Sequence, residues 1–324
     1  MNHKIIVLFL LGLLQLNSFA QTAPWTPNKP VRLIIPQVAG GGADAIGRTI
    51  GQALSEKIGQ PVIVDNKPGI NGGLGVDVLM NSPADGYNLI LVFTSVMAIN
   101  PAVYEKLSYS PLRDLKPLGS VCEVPLVMIA SSKVPANSMS ELISVLKKDS
   151  KSVFGSSGGN GSFSHMLLEM VNTKAGVKMS HIPFKGEGPV IAHILSGQDS
   201  MIYISTPATI IPHIQSGRLK AFGVTTAQRM SQLPNIPTFV EGGLTDFNES
   251  FWYGLAASAN TPPHILEAYY KSVNETANTD SLQANLTKLG CNSLPLKASD
   301  FTEKIKSDMT KYASVAKSVN MKVD

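Results

Sequence analysis

From residue 31 onward, short β-branched runs alternate with stretches of helical spacing, joined by glycine-rich turns. No other feature narrows the possible folds as far. VRLIIP at 31–36 is the first such run, and Ile46, Ile50, Leu54 and Ile58 then recur every four residues, which places an apolar stripe along one side of a helix. PVIVDN at 61–66 reads as the second strand. Glycines within 69–75 precede a short helix ending near Met80, and NLILVFT at 88–94 reads as the third strand. Strands separated by single helices predict an α/β chain with mainly parallel sheets covered on both faces.

The second half repeats the alternation with new material. PLVMIAS (125–131) is a strand, and Ser138 with Glu141 forms a capping box that opens the helix MSELISVLKK. VFGSS (153–157) runs into a Gly/Ser turn, followed by the helix HMLLEMVNTKAG closed by Gly176. KMSHIPF, MIYIS and LKAFGVT supply further strands, WYGLAAS (252–258) reads as a returning strand, and two helices follow it within 262–277 and 300–319. The expected organisation is one lobe from 21–125 plus 249–324 and a second from 126–248, the chain crossing between them twice. That layout permits hinge closure over a cleft. A single large sheet is the alternative that the pattern leaves open.

Residues 1–20 stand apart. Lys4 opens them, Ile5 to Leu16 is apolar except at Gln15 and Gly12, and Ser18-Phe19-Ala20 is a small-x-small cleavage site. This is the pattern of a secretory signal cut after Ala20, since a membrane anchor needs about 20 apolar residues. Cys122 and Cys291 are the two cysteines. In an oxidising compartment they can pair or remain free, and neither belongs to a C-x-x-C motif. With 27 basic and 23 acidic residues, a net +4, no basic run of five and only 6% aromatics, the chain lacks the footprint of a nucleic-acid binder.

Two turns carry the chemistry. Gln37-Val38-Ala39-Gly40-Gly41-Gly42-Ala43-Asp44 joins the first strand to a helix, where close backbone approach and the helix N-terminus favour an anion. The plainer reading makes Asp44 a helix cap. Gly42 to Thr49 nearly matches a P-loop, but Arg48 replaces the required Lys and the helical spacing places Gly47 and Arg48 inside the helix. No G-x-G-x-x-G follows the strand, so no dinucleotide or other cofactor is expected. The second turn, Gly155 to His165, is rich in hydroxyl and backbone donors. Its Ser/His content raises an exported hydrolase or transferase as the rival function, although there is no G-x-S-x-G elbow. His165, His181, His193, His213 and His264 show no metal-ligand spacing.

Taken together, VRLIIPQVAGGGAD, DNKPGINGGLG, PADGYNLIL, GSSGGNGSFSHML, HIPFKGEGP, IIPHIQSGRLKAFGVT and LPNIPTFVEGGL resemble the Bug or TctC-like receptors of tripartite tricarboxylate transporters. The resemblance covers nearly the whole mature chain. It implies a two-lobed type II periplasmic-binding-protein fold with a small organic carboxylate between the lobes: a di- or tricarboxylate or an aromatic acid. It also implies a periplasmic, non-catalytic monomer that serves the membrane subunits of such a transporter, or alternatively a sensor protein. Carried over residue by residue, the ligand contacts would be Val38, Ala39, Gly41 and Asp44 on one side and Ser157, Asn160, Gly161, Ser162, Phe163 and His165 on the other. This chain departs from the family pattern at two positions. Gln37 stands where the family usually has an aromatic residue and would bond a ligand oxygen. Ser205, at the end of MIYIS, stands where many relatives carry Asp, which on sequence grounds favours a plain carboxylate over an amino acid.

Overall fold

The computed structural model describes residues 25–323, so the export signal read over 1–20 lies outside the described residues. In chain order come β1 (Val31–Ile35), α1 (Gly42–Ile58), β2 (Val62–Asn66), α2 (Gly73–Met80) and β3 (Asn88–Phe93). A π-helical turn over Ser95–Ile99 leads to the short α3 (Asn100–Val103) and α4 (Pro111–Asp114), then to the long β4 (Leu115–Pro125). Next follow β5 (Val127–Ala130), α5 (Met139–Lys148), β6 (Phe154–Ser157), α6 (Phe163–Ala175), β7 (His181–Pro183), α7 (Glu187–Ser196), β8 (Met201–Ser205), α8 (Pro207–Gln215) and β9 (Lys220–Val224). The chain closes with β10 (Ser250–Ser258), α9 (Pro263–Ala277), α10 (Asp280–Lys288), β11 (Asn292–Ser293) and α11 (Ala298–Ser318).

Two sheets result, ordered β11-β4-β10-β3-β1-β2 and β7-β6-β8-β5-β9, so the single large sheet is excluded. β1 lies parallel between β2 and β3, and β6 lies parallel between β7 and β8. Each sheet also holds one reversed interior strand: β10 between β3 and β4, and β5 between β8 and β9. Strand direction is therefore mainly parallel, as the alternation predicts.

Helix α1 shows how the sequence dictates the packing. Ile46, Ile50 and Leu54 are buried while Ile58 is partly covered, as the four-residue spacing requires. Gly47 and Gly51 lie beneath the same face. A Cβ at Gly47 would come within 2.5 Å of Ile35, so the glycine lets the helix lie directly on β1. The capping box at α5 is present, with the Ser138 hydroxyl accepting from Glu141 N–H and the Glu141 carboxylate accepting from Asn137 N–H. Gly176 takes the left-handed conformation that ends α6, at φ 66°.

The chain leaves the first sheet between Pro125 and Val127 and returns between Val224 and Ser250. At these crossings Leu126 and Thr225 exchange hydrogen bonds, N–H to Oγ1 at 3.0 Å and N–H to C=O at 2.9 Å. The Thr225 hydroxyl donates onward to the Glu249 carbonyl at 2.6 Å, and Glu249 N–H donates back to the Thr225 carbonyl at 2.9 Å. The buried Glu249 carboxylate in turn accepts from Lys311 and from Tyr312 on α11, both at 2.7 Å. Helix α11 packs Phe301 and Ile305 into the core of the first sheet, and Tyr312 and Ala316 into the apolar cluster that holds Met128 and Leu167 of the second.

Cys122 of β4 and Cys291, just before β11, form a disulfide with Cα atoms 5.7 Å apart across a sequence separation of 169. The bridge resolves the open question of pairing and ties the edge strand β11 to the crossing strand. Cross-links over long loops act chiefly by restricting the unfolded chain. Replacing both cysteines with serine is expected to cost about 2–5 kcal/mol, read as a lower urea midpoint with the native circular dichroism retained. An unchanged midpoint would remove the bridge from the account of stability.

Candidate functional site

Four helices begin at one cleft of about 620 Å³ between the two sheets. From the first lobe comes α1, whose N-cap Gly41 is extended and offers no side-chain cap. Ala45 N–H makes the first bond back to the Gly41 carbonyl, at 3.0 Å, so the N–H groups of Gly42 and Ala43 have no intrahelical partner. From the second lobe come the first residues of α6, α7 and α8, whose N-cap positions are Ser162, Gly186 and Thr206; of these the Ser162 hydroxyl caps its helix, accepting from His165 N–H. Helix N-termini carry partial positive charge, and all four caps or first turns line the same cavity.

The wall from the first sheet also holds Asn71 and Ser95, neither of which the sequence reading identified. Asn71 follows Ile70 in a turn where both non-glycine residues have positive φ, 51° and 48°, a conformation that costs energy for a β-branched side chain. The buried Asn100 holds the turn, accepting from the Asn71 side chain at 2.8 Å and donating to its carbonyl at 3.3 Å. Ser95 opens the π-helical turn, a geometry common at functional sites. Phe251 and Tyr253 of β10 form the floor.

Of the residues predicted to touch a ligand, Gln37, Val38, Gly41, Ser162 and Phe163 line this cleft. The others lie elsewhere, each for a definable reason. Ala39 sits in the same turn but outside the cavity lining. Asp44 is buried in the turn, where its carboxylate accepts from Gly40 N–H at 2.9 Å, Asn66 at 2.9 Å and Arg48 at 3.0 Å. Burial opposes its ionisation, but these hydrogen bonds and the Arg48 charge outweigh it and hold the carboxyl below its ordinary range. Asp44 thus braces the turn that leads into α1. Gly161 is pressed against Val103 and Val323. Asn160 and His165 line a different cavity, with Glu169, Asn172 and Lys178. Ser205 is fully buried, its hydroxyl donating to Glu187 at 2.6 Å.

Ser157 is also fully buried, and its hydroxyl pairs with His181 Nε2 at 2.7 Å and donates to the Gly159 carbonyl at 3.0 Å. The His181 ring stacks on His165 with centroids 3.8 Å apart. His165 Nδ1 accepts from Gly161 N–H at 3.2 Å. The turn's own histidine, His165, pairs its ring with Gly161 N–H and not with a serine hydroxyl; the serine–histidine pair that exists joins Ser157 to His181 on β7, behind the Gly/Ser turn and outside the cleft lining.

Glu187 is a further cleft-lining residue that the sequence reading did not single out. It enters the cleft from the first turn of α7 and meets the buried Ser205 at the end of β8. A carboxylate therefore stands beside Ser205, supplied from 18 residues away.

The model of the tripartite tricarboxylate transporter family receptor, TctC, matches residues 46–321. The chain belongs to that family. This TctC receptor is 32% identical over 79% of its length to protein BugT of Bordetella pertussis, covering 78% of that protein. It is 30% identical over 90% of its length to a protein of the ttuE-ttuC' intergenic region of Agrobacterium vitis, covering 83% of it. Among solved structures, one described as a periplasmic transporter is 29% identical with a TM-score of 0.81, and covers 92% of this chain and 99% of its own. An R. palustris protein solved with adipate is 27% identical with a TM-score of 0.82, covering 91% and 99%. The chain shares the two-lobed α/β architecture of these solved structures and the receptor family to which its sequence matches.

The stacked histidines make the stability of this receptor depend on pH. Burial and the neighbouring His181 push His165 down to about 4, and burial lowers His181 as well. A base whose folded pKa is depressed favours unfolding once it charges, so stability is complete above about pH 6.5 and is lost as the pH falls from there toward 4. The expected loss from His165 is on the order of 3 kcal/mol. Urea denaturation at pH 7 and pH 4.5 tests this, and H165N is expected to flatten the slope between them. An equal slope in that variant would place the titration elsewhere.

Proposed function

We propose that the chain is an exported periplasmic receptor, cut after Ala20, that captures a small organic carboxylate between its lobes. As a monomer it presents the cargo to the membrane subunits of a tripartite tricarboxylate transporter. The observation that carries this reading is the convergence of α1 from one lobe with α6, α7 and α8 from the other on a single cleft whose lining contains no arginine. Backbone N–H groups fixed at helix starts stabilise an anion without a dedicated cation, and because both lobes contribute them, the closed form gains the contacts. The adipate held by the R. palustris neighbour supports a carboxylate as cargo.

The enzymatic rival requires a nucleophile that reaches substrate. Ser157 and His181 are paired, but Ser157 is fully buried and outside the cleft lining. Binding without covalent chemistry accounts for the cleft residues as they stand.

Gln37 and Ser95 are polar side chains of the first lobe suited to testing the cleft, which both residues line. A thermal-shift panel of mono-, di- and tricarboxylates, amino acids and aromatic acids is expected to give a hit, since ligand at 100 times its Kd stabilises by about 2.7 kcal/mol. The double variant Q37A/S95A should then bind that ligand roughly 10- to 100-fold more weakly, from the loss of two polar contacts, with its unliganded melting temperature nearly unchanged. Small-angle scattering should show the wild type contracting when ligand is added. Equal affinity in the variant, or no contraction, would overturn the cleft assignment.

A further inference from the structure

We propose that Glu187 sets the cargo class: it selects carboxylic acids whose second polar group is a hydrogen-bond donor, an ammonium or a hydroxyl, over dicarboxylates. The inference rests on the carboxylate-receptor reading above and narrows it.

Glu187 is half-buried in the wall of the cleft. One carboxylate oxygen accepts from the Ser205 hydroxyl at 2.6 Å and Thr206 N–H at 3.0 Å, with the Thr209 hydroxyl at 3.4 Å. The Thr206 hydroxyl lies 3.0 and 3.1 Å from the two oxygens and has one proton to share between them, the second oxygen's one contact among the described residues. A carboxylate has about four acceptor positions, so the second oxygen keeps capacity for a donor in the cleft. No cation is ion-paired with it among the described residues, and Lys185, two positions earlier, is exposed at the mouth.

Three features aim hydrogen-bond donors or positive partial charge at this side chain: the first turn of α7, the Thr206 N–H at the start of α8, and two hydroxyl donors. The charge is felt by its neighbours. Besides burial, it raises the hydroxyl pKa of Tyr203 and of Tyr253, both of which line the same cavity.

Two consequences point the same way. Glu187 occupies the N–H at the start of α8, a donor that would otherwise be open to a second carboxylate of the ligand. It also repels such a carboxylate directly, in a site where charges are poorly screened. An ammonium or hydroxyl at the same place gains a charge-assisted bond to the second oxygen. The first carboxylate of the cargo remains with Gly42 and Ala43 across the cleft.

The test is calorimetry or thermal shift on the purified protein with matched pairs of acids: succinate against β-alanine and 4-hydroxybutyrate, glutarate against 4-aminobutyrate, and adipate against 5-aminopentanoate. The expected result is that at least one amino or hydroxy acid binds wild type ten-fold or more tightly than its matched dicarboxylate. In E187Q, which keeps the acceptor for Ser205 and Thr206 but turns an amide N–H toward the cleft, the ratio should fall by ten-fold or more. Dicarboxylates bound as tightly by wild type, as they would be if Lys185 captured the second carboxylate, overturn the role of Glu187 and leave the receptor reading intact. An unchanged ratio in E187Q does the same. A wild type that binds no acid of the panel overturns both. The wild-type ranking decides the question even if E187Q fails to fold.

Discussion

The arrangement depends on a buried hydrogen-bonded node where the chain passes between its two sheets. Thr225 holds Leu126 on the outgoing strand and Glu249 on the returning one, and its hydroxyl serves both, accepting from one and donating to the other. Buried polar groups must be paired, so the node fixes the relative course of the two crossings without fixing the angle between the sheets. Helix α11 completes it by placing Lys311 and Tyr312 on the Glu249 carboxylate and Asp308 on the indole N–H of Trp252, at 2.8 Å. The lobes are joined by a defined joint, and the cleft is where that joint brings helix starts together.

The sequence revealed most of the fold because alternation and glycine turns are local signals. It failed at β4. Pro117, Gly119 and Pro125 interrupt the run Leu115–Pro125, and its pairing with β10 is irregular at two places, so neither the period nor the composition marks a strand. Yet β4 is the outgoing crossing. Its hydrogen bonds come from distant partners, β10 and residues 294–296, and only tertiary context makes it a strand.

The site was half legible for a similar reason. Turn composition located the first helix start and Ser162, but it could not tell residues that face the cleft from those that build the turn. Asp44, Ser157 and His165 are polar residues in the expected segments whose groups are consumed by Arg48, His181 and Gly161. Glu187 was missed because an acidic residue in the first turn of a helix has an ordinary explanation in the helix dipole. Only its meeting with Ser205 and Thr206 shows that it also answers to a second helix. Asn71 and Ser95 gave no signal, since one lies in a strained turn and the other in a π-helical one, and neither geometry leaves a periodic trace.

Helix α11 has 21 residues, about 30 Å at 1.5 Å per residue, and its apolar side chains enter the cores of both sheets. A stiff rod lashed to both halves of a joint converts a swivel into something nearer a door, with one axis and few intermediate postures. In a receptor that works as proposed here, cargoes of different shape that shut such a door would leave the same exterior behind. A downstream partner would then need to recognise one surface, whatever is enclosed, and cargo choice could change in the cleft without changing that surface.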